Sequence, residues 1–245
     1  MSVPPQRTVA YGADPAQVYD VRQPSADPRS ATVVVVHGGF WRKEYDRAHA
    51  APQAQAFADA GYHVAVLEYR RSGMPGGGWP GTFADVTAGV AAVRADPTLP
   101  GRTVLIGHSA GGHLVALAAA QPWALGLAGV VSLAGVVDLA RSREENLGDG
   151  AVEDFLGRTD AETITAADPA AHPPAVPVAL LHGALDQTVP AHISQSYVDR
   201  ITRSTAAHAE VRLTGIPDAW HMDVIDPAHP AFAVTLDALA ELTRQ

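Results

Sequence analysis

Short apolar runs rich in β-branched residues alternate along this chain with longer alanine-rich segments. The run TVVVV at 32–36 is apolar almost throughout, whereas a strand with one solvated face would alternate apolar and polar residues. Strands of this kind alternating with helices predict an α/β fold, with a mostly parallel sheet and helices on both faces. The eight predicted strands are 8–12, 17–23, 32–36, 63–69, 103–107, 129–135, 177–183 and 209–215. The predicted helices are 48–60, 82–95, 110–120, 191–203 and 230–243.

The stretch 139–176 interrupts this alternation. It is first polar and acidic (RSREENLGDGAVEDFLG) and then rich in proline (DPAAHPPAVP). It is too short for a domain, so we expect an insertion of short helices and loops over one edge of the sheet. We expect it to form a small lid in which Phe155 and Leu156 cover an acyl pocket. Residues 1–245 are therefore expected to form a single domain.

Composition narrows the classes of partner and cofactor. The chain has 17 Lys and Arg against 26 Asp and Glu, a formal net charge of -9, so we expect no nucleic-acid partner. It has no cysteine, which excludes disulfides, thiolate nucleophiles and cysteine-ligated metals. The histidines lack metal-ligand spacing, so we expect no metal and no cofactor.

Hydropathy sets the expected location. The first residues lack the basic and apolar regions of a signal peptide, and no apolar run is long enough to span a membrane. We therefore expect a cytoplasmic protein with no membrane partner. The C-terminal segment AFAVTLDALAEL offers an apolar face for a homodimer, although packing on the sheet is the alternative.

The strongest local motif is GHSAG at 107–111, between a predicted strand and a predicted helix. This is the context of the nucleophile elbow, a sharp turn that exposes a serine hydroxyl, here that of Ser109. Gly107 and Gly111 leave room for neighbouring backbone at such a turn. The motif predicts that Ser109 is a nucleophile.

A serine nucleophile needs a base, and the base needs a carboxylate to orient it. Asp186 in LLHGALDQTVP follows one predicted strand, and His221 in IPDAWHMDV follows the next. The chain order Ser109, Asp186, His221 is that of the α/β-hydrolase fold. Asp138 is a second candidate acid, although a cap or loop role is favoured for it. Asp223 is expected to be solvated or to cap a helix.

The loop HGGFW at 37–41 follows a buried strand and suits an oxyanion hole. Acyl transfer requires two backbone N–H donors, which we assign to Ala110 and to Gly39 or Phe40. Phe40 and Trp41 are expected to wall an acyl pocket, with a core anchor as the alternative for Trp41. Two further tryptophans are expected to contact substrate, Trp79 and Trp220.

These motifs in combination resemble the α/β-hydrolase superfamily, over about residues 31–225. The resemblance is closest to the branch of kynurenine formamidases and hormone-sensitive-lipase-like esterases. It rests on HGGFW, EYRRSG, GGGWPGTFADV, GHSAGGHL, the D-x-x-V-P pattern that begins at Asp186, and the loop histidine. Kynurenine formamidases carry HGG followed by an aromatic residue and Trp, which this loop matches more closely than the HGGG of the lipase-like esterases. The resemblance implies a metal-free hydrolase with a triad and a two-donor oxyanion hole.

The sequence therefore predicts a serine hydrolase that acts on small carboxylic esters or amides, including arylformamides, through an acyl-enzyme. A stand-alone serine peptidase of the oligopeptidase type is one alternative. A hydrolase homologue that binds a small ligand without catalysis is the other, and the complete triad disfavours it.

Overall fold

The computed structural model describes residues 3–244, and all eight predicted strands and five predicted helices are present. The strands are β1 (Arg7–Ala10), β2 (Val18–Arg22), β3 (Thr32–Val36), β4 (His63–Leu67), β5 (Thr103–His108), β6 (Gly129–Leu133), β7 (Val178–Gly183) and β8 (Val211–Ile216). The helices are α1 (Ala51–Asp59), α2 (Gly81–Ala95), α3 (Ala110–Ala119), α4 (Leu139–Glu144), α5 (Ala151–Leu156), α6 (Ala161–Ala167), α7 (His192–Arg203) and α8 (Ala231–Thr243).

The strands form one sheet in the order β1-β2-β4-β3-β5-β6-β7-β8. The β1–β2 and β2–β4 pairs are antiparallel, and every other pair is parallel. This confirms the predicted α/β fold with a mostly parallel eight-stranded sheet. Val36 pairs with Leu67 on β4 and with Gly107 on β5, so the three central strands end at the same edge. Open α/β sheets bind ligands beyond this edge.

The core lies on both faces of the sheet, because successive residues of a strand point to opposite sides. Val34 and Val36 of β3 belong to a core cluster that includes residues of α2, α3 and α7, whereas Val33 and Val35 belong to a second cluster with residues of α1 and α8. Every residue of β3 and of β5 is buried, as expected for strands covered on both faces.

The insertion at 139–176 forms α4, α5, α6 and a 3-10 turn, as predicted from its composition. The guanidinium of Arg200 on α7 binds the carboxylates of Asp138 and Asp168, at 2.8 Å each. Phe155 is buried, and its ring stacks on that of Trp41 with the centroids 4.5 Å apart. The insertion is thus joined to the body of the protein by an ionic contact and an aromatic one.

β4 and β6 are among the strands that end earlier than predicted, each by two residues. β6 stops at Leu133 because Ala134 has a φ of +46°, which a strand cannot contain. β4 stops at Leu67, and the next residue, Glu68, turns its carboxylate back to accept the N–H of Tyr69 at 3.1 Å. The polar residues that follow β4 therefore leave the sheet instead of extending it.

Across residues 3–244, every helix is too short or too polar to cross a bilayer.

A buried polar network joins the ends of β3 and β4. The Glu68 carboxylate accepts the backbone N–H of Arg47 at 3.0 Å, contacts Nε2 of His37 at 2.9 Å and pairs with Arg71. The Tyr69 hydroxyl donates to the backbone oxygen of His37 at 2.6 Å. Burial alone would raise the pKa of Glu68, but the contacts with His37 and Arg47 and the charge of Arg71 lower it to about 2. The network fixes the backbone immediately before the loop at 38–41.

We expect the Glu68→Gln variant to be less stable than the parent at neutral pH, with a difference that shrinks in acid. A carboxyl with a lowered pKa stabilises the fold above its unfolded-state pKa and loses that effect as the pH falls through its folded value. The gap should therefore narrow by about 3 kcal/mol between about pH 4.5 and pH 2.

Urea unfolding at several pH values measures this gap. Glu44→Gln, at an exposed position on a nearby segment, is the matched control and should show a small gap at every pH. A gap for Glu68→Gln that stays constant from neutral to acid pH would contradict the assigned role.

Candidate active site

Ser109 occupies a strained turn between β5 and α3. Its φ of +55° and ψ of -117° lie in a region that residues with a side chain rarely adopt. A Cβ on Gly107 would lie 2.2 Å from the oxygen of Gly111, and one on Gly111 would lie 2.1 Å from the oxygen of Val36. The turn therefore requires glycine at both positions, as the motif predicts.

Asp186 and His221 follow β7 and β8, and their side chains meet. His221 Nδ1 lies 2.7 Å from Asp186 Oδ2. The other carboxylate oxygen accepts the N–H groups of Thr188 and Val189, at 2.8 and 2.9 Å. Although burial raises the pKa of Asp186, contacts with His182 and His221 and the Val189 N–H hold it well below its usual range. Asp186 is therefore a carboxylate that orients the imidazole of His221.

His182 supports this carboxylate from its buried side, a contact that sequence analysis missed. Its Nε2 lies 2.7 Å from the oxygen of Val189 and 3.3 Å from Asp186 Oδ2, and its Nδ1 lies 2.7 Å from Ser194 Oγ. The available signal was a histidine in an otherwise apolar strand, which must find hydrogen-bond partners when buried.

His108 joins the elbow to the loop of His221. Its Nε2 lies 2.8 Å from the backbone oxygen of His221, and the two rings have centroids 4.5 Å apart. A carbonyl oxygen only accepts hydrogen bonds, so Nε2 carries the proton. Burial and the neighbouring His221 lower the pKa of His108 to about 3, so the ring is neutral at physiological pH. The histidine inside the GHSAG motif thus has a specific backbone partner in the loop of His221.

The loop after β3 lies against the elbow. A Cβ on Gly38 would lie 2.7 Å from the oxygen of His108. Gly39, Phe40 and Trp41 have φ values of +106°, +48° and +55°, so the loop turns sharply at three successive residues. The Gly39 oxygen accepts the N–H of Arg42 at 2.9 Å.

Three backbone N–H groups near Ser109 are available to a ligand. Ala110 lies in the first turn of α3, where N–H groups have no acceptor within the helix. Within residues 3–244, the N–H groups of Gly39 and Phe40 likewise donate to no protein acceptor. These are the residues expected from the sequence to supply the two donors of an oxyanion hole.

Ser109 and His221 border one cavity of about 260 Å³. Its remaining wall is largely apolar, with a few polar side chains. The bordering residues are Gly39, Phe40, Tyr45, His49, His108, Ser109, Thr188, His221 and Met222. Phe40 is thus placed as predicted, whereas Tyr45, His49, Thr188 and Met222 were not identified from the sequence.

Trp41 and Phe155 do not border this cavity. Trp41 is fully buried between Phe155 and His113, whose ring centroid lies 5.1 Å from its own. The alternative role as a core anchor is therefore the one that the structure shows, and the expected substrate contact of Trp41 is corrected. Phe155 and Leu156 are buried in the same core, so they do not cover the cavity as expected of a lid.

Trp79 and Trp220 also lie outside the residues that border the cavity. Trp79 packs beside Phe83 in the core, with ring centroids 5.9 Å apart. Trp220 is 49% exposed, and its backbone N–H donates to Asp223 Oδ2 at 2.7 Å. The expected contact of Trp79 with substrate is corrected, because aromatic packing holds its ring away from the cavity. The expected contact of Trp220 stays a prediction.

Asp138, the alternative acid, is engaged elsewhere. Its carboxylate caps α4 by accepting the N–H of Arg141 at 3.1 Å, and it also accepts the hydroxyl of Ser196 at 2.6 Å. Among residues 3–244, no three His, Cys, Asp or Glu side chains are grouped so that they could hold a metal ion.

Two curated relatives are similar to this chain in sequence. Esterase LipC of Mycobacterium tuberculosis is 28% identical over 253 residues, which cover 91% of this chain and 61% of LipC. The probable carboxylic ester hydrolase LipM of the same organism is 27% identical over 221 residues, which cover 79% of this chain and 51% of LipM. The chain thus spans between half and two thirds of the length of these relatives.

Solved structures share the fold at lower identity. A truncated carbohydrate esterase from gut microbiota superposes with a TM-score of 0.82 at 20% identity, over 99% of both chains. A propionate-bound esterase of Thermogutta terrifontis gives a TM-score of 0.75 at 22% identity, over 96% of this chain and 92% of the other. These likenesses place the chain in the α/β-hydrolase fold.

The BD-FAE family model matches residues 19–201, which is most of the chain. This stretch contains most of β2, all of β3 to β7, the elbow of Ser109 and the loop of Asp186. The chain belongs to the BD-FAE family.

Proposed function

We propose that the protein is a serine hydrolase that cleaves small carboxylic esters and, as a second substrate class, arylformamides. One observation carries the proposal: a single cavity is bordered by Ser109, on its strained elbow, and by His221, whose Nδ1 is held by Asp186 at 2.7 Å. A nucleophile, a base and a carboxylate that orients the base are the components required for acyl transfer.

In the first half-reaction, Ser109 Oγ attacks the carbonyl carbon and His221 Nε2 takes its proton. Asp186, held as a carboxylate, stabilises the imidazolium that forms. The carbonyl oxygen becomes an oxyanion, which accepts hydrogen bonds from the N–H of Ala110 and from that of Gly39 or Phe40. The C–O or C–N bond to the leaving group then breaks, and His221 donates its proton to the departing oxygen or nitrogen.

In the second half-reaction, water attacks the acyl carbon of the ester on Ser109. His221 takes a proton from the water and returns it to Ser109 Oγ as the acyl bond breaks. The products are the carboxylic acid and the alcohol or amine, and the enzyme regains its starting state. The backbone donors serve both steps, because each passes through an oxyanion at the same position.

Cavity size and the relatives support a small acyl group. A volume of about 260 Å³ suits a short acyl chain better than a long lipid. The similar proteins include an esterase, a probable carboxylic ester hydrolase and a propionate-bound esterase. Another similar solved structure is Thermogutta terrifontis esterase 2 phosphonylated by sarin.

The arylformamide class rests on the HGGFW loop, whose aromatic residue after HGG matches the kynurenine formamidase pattern. Hydrolysis of N-formyl-L-kynurenine and of 4-nitrophenyl acetate at neutral pH tests both classes together. We expect a kcat/KM above about 10⁴ M⁻¹s⁻¹ for the formamide. Turnover of the acetate alone would restrict the protein to esters, and turnover of neither would contradict the proposed function.

Replacing the proposed nucleophile should remove the activity. Ser109→Ala should lower kcat at least about 10³-fold with 4-nitrophenyl acetate, because only binding and the oxyanion donors remain. A fluorophosphonate should add one phosphonyl group to the parent and none to Ser109→Ala, as measured by intact mass. Ser142→Ala, which removes a buried hydroxyl outside the cavity, is the matched control and should still be labelled.

Replacing His108 should slow the chemistry more than it weakens binding. His108→Phe keeps a planar ring but removes the Nε2–H that holds the His221 oxygen, so kcat should fall about tenfold with little change in KM. His108→Gln can donate from its amide and should recover part of the loss. Unchanged kcat in His108→Phe, with an unchanged melting temperature, would contradict this positioning role.

A further inference from the structure

His49 borders the active-site cavity, yet the proposed mechanism gives it no task. It lies in a 3-10 turn (Arg47–Ala50) that Asp46 caps by accepting the N–H of Ala48 at 2.9 Å. The turn follows the loop of Gly39 and Phe40, so His49 approaches the cavity from the same side as the proposed oxyanion donors.

The proton of the His49 ring has a fixed position. Nδ1 lies 2.8 Å from the backbone oxygen of Asp46, which can only accept, so Nδ1 carries the hydrogen. In a neutral imidazole with Nδ1 protonated, Nε2 is an acceptor and cannot donate. Burial is the main cause that lowers the pKa of His49, and the neighbouring His37 lowers it further. The lowered pKa favours the neutral form.

The acceptor at Nε2 is free for a ligand. Within residues 3–244, the Nδ1 contact is the one hydrogen bond that the ring makes. Nε2 is not one of the buried polar atoms that lack a hydrogen-bond partner, so it can be reached from solvent. The wall of the same cavity includes Phe40, Tyr45 and Met222, so a substrate meets a fixed acceptor in a largely apolar cavity.

We infer that His49 selects esters or amides that carry a hydroxyl or N–H donor near the scissile bond, by accepting that hydrogen at Nε2. The inference rests on the proposed function and narrows its substrate class. A substrate with the donor replaces the water that Nε2 would otherwise bind. A substrate with a methyl group at that place covers Nε2 and leaves it without a partner, and such a buried unpaired group costs binding free energy.

Two pairs of esters test the inference, each with a hydroxyl in one member and a methyl group in the other. On the acyl side, these are the 4-nitrophenyl esters of 3-hydroxybutanoate and 3-methylbutanoate. On the alcohol side, they are 2-hydroxyethyl acetate and propyl acetate. The measured quantity is the ratio of kcat/KM within a pair, compared between the parent and His49→Phe, so that differences in intrinsic reactivity cancel.

We expect the ratio for at least one pair to fall about tenfold or more in favour of the methyl member in His49→Phe. The pair that responds identifies the side of the scissile bond that His49 contacts. His49→Gln, whose amide oxygen can accept, should keep part of the preference. His208→Phe removes an exposed histidine that makes the same Nδ1 contact with a backbone oxygen outside the cavity, so it is the matched control and should leave both ratios unchanged.

The outcomes separate this inference from the proposed function. If the parent cleaves the esters and each kcat/KM ratio is the same in the parent and in His49→Phe, the role of His49 is overturned and the serine hydrolase proposal stands. Failure of the parent to cleave N-formyl-L-kynurenine, 4-nitrophenyl acetate and all four of these esters overturns both. Should His49→Phe fold poorly, His49→Leu compared with His49→Gln provides the same contrast between an apolar and an accepting side chain.

Discussion

The site depends on close backbone packing where β3 and β5 end. Gly111 lies against the oxygen of Val36, and Gly38 lies against the oxygen of His108, with no room for a Cβ at either contact. The loop after β3 is therefore held directly beside the elbow of Ser109. The backbone N–H groups of this loop and of the first turn of α3 can then serve one ligand, and they need little rearrangement to do so.

Buried histidines contact the loops that carry the site residues. His37 links the glycine loop to the carboxylate of Glu68, His108 holds the backbone of His221, and His182 lies behind Asp186. An imidazole carries two ring nitrogens on one rigid plane, so a single side chain can contact two buried polar groups. The proposed nucleophile, base and carboxylate thus come from three separate strand ends, and imidazole contacts hold the segments that carry the last two.

The insertion contributes to the site from a distance. The ring of Phe155 stacks on that of Trp41. Gly148 lies so close to Phe40 that a Cβ on Gly148 would be 2.5 Å from the Phe40 ring. The guanidinium of Arg42 donates to the Gly148 oxygen at 2.6 Å. The insertion therefore braces the loop that borders the cavity, whereas its aromatic residue was expected to cover the cavity itself.

Much of this protein could be predicted from local patterns. Apolar runs predicted the eight strands, and their alternation with helices predicted the parallel sheet. The GHSAG motif predicted a turn at Ser109 that requires glycine at both flanking positions. These properties depend on neighbours in the chain. Asp186 and His221 could be chosen because functional residues in this fold follow successive strands.

The tertiary structure alone decided where the aromatic and imidazole side chains lie. Trp41 and Phe155 could equally have faced a cavity or the core from their sequence context, and long-range packing placed both in the core. The partner of His182 and the exposure of His49 to the cavity likewise depend on residues from other elements. The spacing of apolar residues in the sequence indicates which side chains are buried. The contacts of each buried side chain depend on close packing between segments that are distant in the chain.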